Sequence, residues 1–163
     1  MSDEKVLSVR RAARAMVVLL AVGVLAVLSP APASADPQHG LRNVSTQRCL
    51  TSDIFDIGHH GIWTEPCQSG FPAQLWHHHR GTHEYRVMNY TSSVCLDSNA
   101  AGRVYGNPCT ANNSYQEWII TSNTYGAQLR NLATGRCLDS NAQGDVYTNP
   151  CTANNNYQRW RTR

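Results

Sequence analysis

The segment Tyr115-Gln116-Glu117-Trp118 returns 42 residues later as Tyr157-Gln158-Arg159-Trp160. Gln74 and Trp76 stand another 42 residues earlier, so a Gln-x-Trp element occurs three times in the chain. A period of this length is typical of one supersecondary unit that buries its apolar face only against its own copies. Any binding chemistry encoded in the unit can therefore occur up to three times.

The six cysteines follow the same period. Cys49 lies 46 residues before Cys95, whereas the other spacings between copies are 42, which indicates a four-residue insertion in the first copy. Six cysteines allow fifteen pairings, but three equivalent copies with two cysteines each favour one bond per copy. The expected disulfides are Cys49–Cys67, Cys95–Cys109 and Cys137–Cys151. A zinc site is the competing interpretation, and the lack of any Cys-x-x-Cys pair disfavours it.

Residues 1–35 have the features of a secretion signal. Basic residues precede an apolar run at 15–28, Ser29-Pro30 ends the run, and Ala33-Ser34-Ala35 is typical of a cleavage site. The run contains 14 residues, which is short for a membrane span. We therefore expect a secreted, extracellular chain that begins at Asp36 and does not insert into a membrane.

The expected mature chain of 128 residues has the length of one compact domain, residues 36–163. Removing the four basic and two acidic residues of the signal from 14 and 11 leaves 10 and 9, a net charge of +1. A nucleic-acid-binding protein needs a clustered basic face, so we expect no nucleic-acid partner.

Each copy has the pattern of four short strands separated by polar turns, without helical periodicity. The copies span about 41–83, 84–125 and 126–163. Twelve short strands in three copies predict a closed, pseudo-threefold all-β barrel, which removes exposed sheet edges. We expect this unit to be a monomer.

Two further motifs carry a family resemblance. Cys-Leu-Asp occurs at 95–97 and 137–139, and each is followed by a second cysteine and then Gln-x-Trp. This order resembles the ricin B-type lectin family, which implies a β-trefoil fold with one disulfide in each repeat and glycans or polysaccharides as partners. Segments 96–105 and 138–147 are similar to the actinohivin group of high-mannose-binding lectins within that family.

The resemblance also implies the positions of the sugar-binding residues. A sugar site needs a carboxylate or amide that accepts from adjacent hydroxyls, an aromatic face and a further polar group. The residues that match the family pattern are Asp97, Tyr105, Asn112 and Tyr115 in copy two, and Asp139, Tyr147, Asn154 and Tyr157 in copy three. The alternatives are an aspartate that caps its own turn and aromatic residues that belong to the barrel wall. Asn107 and Asn149 depart from the family pattern, which has a leucine there.

The residues of the Gln-x-Trp elements are interpreted as structural. They are Gln74, Trp76, Gln116, Trp118, Gln158 and Trp160. Copy one lacks the sugar pattern, because Thr51 stands where the aspartate is expected, Trp63 replaces the first tyrosine and Ala73 replaces the second. A hydroxyl cannot replace the charge-assisted acceptance of a carboxylate. The sequence therefore predicts two working sugar sites, in copies two and three.

Most histidines lie in copy one, at 59–60, 77–79 and 83. A transition-metal site is one interpretation, since imidazole is a common ligand. Neighbouring residues of a strand point to opposite faces, so His77, His78 and His79 cannot all bind one ion. We favour an exposed histidine-rich hairpin and expect no metal and no other cofactor.

Three classes of function fit the chain. The first is a secreted carbohydrate-binding protein, either a mannose-type lectin or a polysaccharide module of the xylan or galactose type. The second is a trefoil that binds protein, such as a hydrolase inhibitor. The third is a glycosidase, which the single aspartate of each copy disfavours because glycoside hydrolysis uses two carboxylates. We expect a binding protein and not an enzyme.

Overall fold

The computed structural model describes residues 39–55 and 61–163; the predicted signal segment lies outside the described residues. This part of the chain contains twelve β-strands and three short 3₁₀ helices. The strands are β1 (Leu41–Asn43), β2 (Cys49–Ser52), β3 (Ile62–Glu65), β4 (Trp76–Arg80), β5 (Tyr85–Asn89), β6 (Val94–Ser98), β7 (Val104–Pro108), β8 (Trp118–Asn123), β9 (Gly126–Asn131), β10 (Cys137–Ser140), β11 (Val146–Asn149) and β12 (Trp160–Thr162). No helix among the described residues has the length and apolar character needed to cross a membrane.

The first and fourth strands of each repeat form a six-stranded barrel. Antiparallel pairing runs through β1, β12, β9, β8, β5 and β4. A bridge between His39 and Trp76 joins β4 back to the segment before β1. The middle strands form three hairpins, β2–β3, β6–β7 and β10–β11. This is the β-trefoil arrangement, and the all-β, pseudo-threefold prediction is confirmed.

The core is built from the same positions in each repeat. The fully buried members are Leu41, Leu50, Trp76, Val87, Leu96, Trp118, Leu129, Leu138 and Trp160. Each tryptophan indole N–H donates to a leucine carbonyl of its own repeat, over 2.9 Å to Leu50 and Leu96 and 3.1 Å to Leu138. The three tryptophans therefore fill the core without leaving a buried donor unpaired, which agrees with their predicted structural role.

The three disulfides pair as the repeat predicts, one within each copy. Each ties the first strand of a hairpin to the segment that follows its second strand. In the chain-entropy model, loops of 14 to 18 residues each contribute about 3 kcal/mol to stability. The covalent links thus hold the hairpins, which carry the candidate sites, onto a small barrel.

Neighbouring repeats are joined by two equivalent glycine contacts. The Thr148 N–H donates to the Gly102 carbonyl over 2.8 Å, and the Thr64 N–H donates to the Gly144 carbonyl over 2.7 Å. Gly144 has a φ of 109°, and a Cβ there would lie 2.7 Å from the Thr64 carbonyl oxygen. Repeat three can therefore approach repeat one only with glycine at this position.

We predict that Gly144→Ala lowers the free energy of unfolding by about 3 kcal/mol, because it combines an unfavourable φ with a backbone clash. The control is Gly135→Ala, since Gly135 also has a positive φ (68°) but nothing lies within 4 Å of its added Cβ. That variant should lose only about 1 kcal/mol. Denaturant unfolding of both proteins measures the difference, and equal losses would contradict the clash.

Candidate functional site

The hairpin β6–β7 and the 3₁₀ helix Ser114–Gln116 enclose an open cleft of about 480 Å³. Its lining residues are Asp97, Asn99, Ala100, Tyr105, Asn107, Asn113 and Tyr115. Asp97 and Tyr105 are directly paired across the hairpin, so both side chains lie on the same face of the sheet. The structure thus brings three of the four residues predicted in copy two, Asp97, Tyr105 and Tyr115, to one cleft.

Asp97 is held at the base of this cleft by two amide side chains. Gln116 Nε2 donates to Asp97 Oδ2 over 3.1 Å, and Asn107 Nδ2 donates to the same oxygen over 3.2 Å. Gln116 is itself fixed, because its Nε2 donates to the Pro108 carbonyl and its Oε1 accepts from the Thr110 N–H. The glutamine of Gln-x-Trp therefore both secures the loop and positions the carboxylate.

Repeat three reproduces this geometry. Its cleft of about 310 Å³ is lined by Asp139, Ser140, Asn141, Ala142, Gln143, Tyr147, Asn155 and Tyr157. Asp139 Oδ2 accepts from Gln158 over 3.0 Å and from Asn149 over 3.3 Å. Asn107 and Asn149, which depart from the family's leucine, thus act as a second brace on the aspartate in both repeats.

The other carboxylate oxygen is the feature that distinguishes these clefts. Asp97 Oδ1 and Asp139 Oδ1 are buried and have no hydrogen-bond partner in the described structure. Both aspartates are only 3% exposed. A buried acceptor without a partner is unfavourable, and a hydroxyl donated by a molecule in the cleft would satisfy it.

Tyr105 and Tyr147 stand opposite these aspartates and are partly buried. Burial, and then the negative charge of Asp97, raises the pKa of Tyr105 above its ordinary value, although Arg103 opposes the shift. Burial, and then Asp139, raises the pKa of Tyr147 in the same way. Both phenols therefore stay protonated and able to donate a hydrogen bond through neutral and mildly basic pH.

The outer wall of each cleft is an exposed aromatic ring. Tyr115 and Tyr157 are 44% and 42% exposed and lie in the 3₁₀ helices that precede the Gln-x-Trp tryptophans. Exposed rings beside a polar cleft present an apolar face to a molecule in the cleft. Neither ring belongs to the buried core of the barrel.

The structure places the asparagine of the cleft one residue later than the predicted Asn112 and Asn154. Asn113 and Asn155 line the clefts, and each side chain accepts from the tyrosine N–H two residues on. Asn112 and Asn154 have φ values of 59° and 61°. The positive-φ residue turns the chain, so the asparagine that follows it lines the cleft.

Repeat one lacks the aspartate but keeps a carboxylate on the opposite strand. Thr51 is fully buried, and Gln74 Nε2 donates to its hydroxyl over 3.2 Å and to Glu65 Oε1 over 3.4 Å. Glu65 occupies the position of Asn107 in repeat two. Sequence reasoning missed Glu65, and the only signal was its 42-residue offset from the asparagine brace. Trp63, at the Tyr105 position, is 36% exposed.

The histidine segment forms strand β4, and its alternation brings His77 and His79 together. Their Nε2 atoms lie 3.3 Å apart, and the two rings meet edge to face. No group of three or more His, Cys, Asp or Glu residues within 39–55 and 61–163 is arranged to hold a metal ion. His59 and His60 lie outside the described residues.

Comparison with known proteins identifies the family. The model of the ricin-type beta-trefoil lectin domain matches residues 38–160. The chain belongs to this family. The predicted ricin B-type relationship is thereby confirmed. Domains of this family are generally carbohydrate-binding modules. No curated protein sequence matches the chain significantly.

Solved structures share the fold of this lectin domain. A chain of the Haemophilus ducreyi cytolethal distending toxin is 17% identical with a TM-score of 0.66, over 77% of this chain and 81% of that chain. The designed threefold-symmetric protein ThreeFoil is 19% identical with a TM-score of 0.65, over 77% and 96%. SeviL, solved with asialo-GM1 saccharide, is 14% identical with a TM-score of 0.64, over 78% and 97%. At these identities the likeness is one of fold.

Proposed function

We propose that the protein is a secreted lectin that binds sugars in the clefts of repeats two and three, with mannose or high-mannose glycans as its ligands. One observation carries the proposal: each cleft contains an aspartate with one oxygen doubly braced and the other without a partner. Adjacent hydroxyls of a pyranose are the groups that would donate to that oxygen. The mannose preference rests on the resemblance of segments 96–105 and 138–147 to the actinohivin group.

The two clefts suit binding better than catalysis. Among the described residues that line the two clefts, Asp97 and Asp139 are the sole carboxylates. Hydrolysis of a glycosidic bond uses two carboxyl groups on either side of the bond. Each cleft is open, so a single sugar should bind with a Kd of about 1 mM, and clustered glycans should bind more tightly through both clefts.

The test is a glycan array probed with the wild type and the Asp97→Ala/Asp139→Ala double variant. We expect the wild type to bind terminal mannose or high-mannose glycans and the double variant to lose that signal. Glu84→Gln is the control, because it removes a carboxylate that lies outside both clefts. Thermal unfolding with intact disulfides verifies that each variant is folded.

Two results would overturn the proposal. A folded wild type that binds no glycan would favour the protein-binding alternative, and the same samples would then be screened as inhibitors of secreted hydrolases. Binding that persists in the double variant would move the site away from the aspartates. Binding to xylans or galactans that disappears in the double variant would retain the clefts and replace mannose by a polysaccharide ligand.

A further inference from the structure

Three arginines lie together on the barrel surface, and none of them lines an aspartate cleft. Arg42 on β1 is directly opposite Arg161 on β12. Arg159 precedes β12 by one residue in an extended conformation, so it points to the same side as Arg161. We refer to Arg42, Arg159 and Arg161 as the arginine face. Among the described residues, none of the three forms an ion pair with a carboxylate.

This arrangement is unfavourable for the protein alone. Like charges directly opposite each other in an antiparallel pair destabilise a sheet. Within 39–55 and 61–163, the one hydrogen bond from these guanidinium groups is long: Arg161 Nη2 donates to the Thr124 carbonyl oxygen over 3.5 Å. A bound anion would relieve the repulsion and satisfy several donors at once.

Two adjoining clefts open beside the arginine face. One, of about 320 Å³, is lined by Tyr125, Asn154, Asn156 and Arg159. The other, of about 300 Å³, includes Thr124 and Arg161. Thr124 and Tyr125 are consecutive in the β8–β9 turn and line different clefts. Each cleft contains one arginine. The Tyr125 ring is 65% exposed.

Comparison between the repeats explains why the first cleft exists. The position of Arg159 is occupied in repeat two by Glu117, whose carboxylate accepts from the backbone N–H groups of Thr82, His83 and Glu84. These three hydrogen bonds hold that loop against Glu117. A guanidinium has no acceptor for backbone N–H groups, so the turn of repeat three has no such contact and the cleft beside Tyr125 remains open.

We propose that the arginine face is a second saccharide site, specific for sugars that carry a negative charge. Arg159 and Arg161 bind carboxylate or sulfate groups on neighbouring units of the glycan. Tyr125 supplies the apolar surface for a ring, and Asn154 and Asn156 bind its hydroxyls. The ligand class is therefore an acidic oligosaccharide. This site is independent of the aspartate clefts and extends the protein's reach from neutral glycans to acidic polymers.

The first test is calorimetric titration of the mature protein with trigalacturonate and with its fully methyl-esterified form, which has the same backbone but no charge. We expect binding of the acid and at least about tenfold weaker binding of the ester. A sulfated chondroitin hexasaccharide in a parallel titration distinguishes sulfate from carboxylate as the preferred group. Binding of either acidic ligand supports the site.

Matched variants locate the site. We expect about tenfold weaker binding of the acidic ligand in each of three variants, Arg159→Gln, Arg161→Gln and Tyr125→Ala. Arg130→Gln removes the same charge at an exposed position of β9 outside both clefts, and this variant should bind the acidic ligand with wild-type affinity. The Asp97→Ala/Asp139→Ala variant should retain acidic-ligand binding even if it loses neutral glycans, which separates this proposal from the first.

Three outcomes would overturn the proposal. Equal affinities for the ester and the acid would show that charge plays no part in the recognition. Equal losses of affinity for the acidic ligand in Arg130→Gln and Arg159→Gln would show an effect of net charge without a specific site. Wild-type affinity in Arg159→Gln and Arg161→Gln, with both variants folded by near-ultraviolet circular dichroism, would exclude the arginine face.

Discussion

Glu117→Gln should lower the free energy of unfolding by about 3 kcal/mol at neutral pH. The carboxylate is fully buried, and its two oxygens accept from three backbone N–H groups over 2.8 to 2.9 Å. Arg86 Nη2 lies 3.8 Å from Oε1. An amide in this place turns an NH₂ group toward donors and loses the charge, and breaking a buried charged network costs about this much. Urea unfolding at pH 7 measures the loss.

The same substitution should change how stability depends on pH. Burial by itself would raise the pKa of Glu117, but the N–H groups of Glu84, His83 and Thr82 and the nearby His83 ring outweigh it and lower the pKa. A depressed folded-state pKa gives stability that is fully present above the ordinary value of 4.5 and is lost as the pH falls through the lower folded value. Glu117→Gln should therefore unfold with a smaller acid dependence below pH 4.5.

Glu84→Gln is the control for both measurements, because its side chain is only partly buried and the Glu84 backbone N–H is unaffected. It should shift the free energy of unfolding by less than about 0.5 kcal/mol. An unchanged acid dependence in Glu117→Gln would mean that other carboxylates govern acid unfolding. A loss as small as that of the control would mean that water replaces the three hydrogen bonds.

The repeat explains why so much of the fold could be predicted. Residues that occur three times at a fixed offset, such as Trp76, Trp118 and Trp160, must occupy equivalent places in a symmetric barrel. The same logic reduced fifteen disulfide pairings to the one that forms. The family resemblance indicated Asp97 and Asp139, and the structure places both in equivalent clefts, each paired across a hairpin with its tyrosine.

Sequence reasoning failed where the copies differ. Glu117, Arg159 and Leu75 fill the middle position of Gln-x-Trp, so the pattern gives no role to any of them. The structure shows that Glu117 fixes a loop and that Arg159 borders an open cleft. The asparagine that lines each cleft also lies one residue after the predicted one, because a left-handed turn such as that at Asn112 can be recognised only from backbone dihedral angles.

The histidines show a third kind of limit. Strand alternation correctly excluded a common face for three adjacent residues, yet it also places His77 and His79 on one face. The close approach of their Nε2 atoms depends on side-chain rotamers, which a sequence pattern does not contain. The fold is thus determined by what the repeats share, and the particular chemistry by what each copy has changed.

Asp97→Asn should reduce affinity for a clustered high-mannose surface by about 100-fold while leaving the remaining cleft intact. Two weak sites on one rigid barrel bind a multivalent surface through effective concentration, and a protein with one site loses that gain. Titration with a free monosaccharide should instead show half the wild-type stoichiometry with an unchanged Kd near 1 mM. Surface binding to immobilised glycan measures the first quantity and calorimetry the second.

Asp139→Asn is the matched variant, because the same two kinds of amide brace its carboxylate. Equal effects from the two substitutions are expected if the clefts are equivalent sites. A loss of monosaccharide affinity in the remaining site would contradict independent clefts. A wild-type stoichiometry of three would contradict the two-site proposal and assign binding to repeat one, where Glu65 lies beside Gln74 and Trp63 is the exposed ring. Glu65→Gln would then remove the third site, because its carboxylate is the acceptor that Thr51 cannot supply.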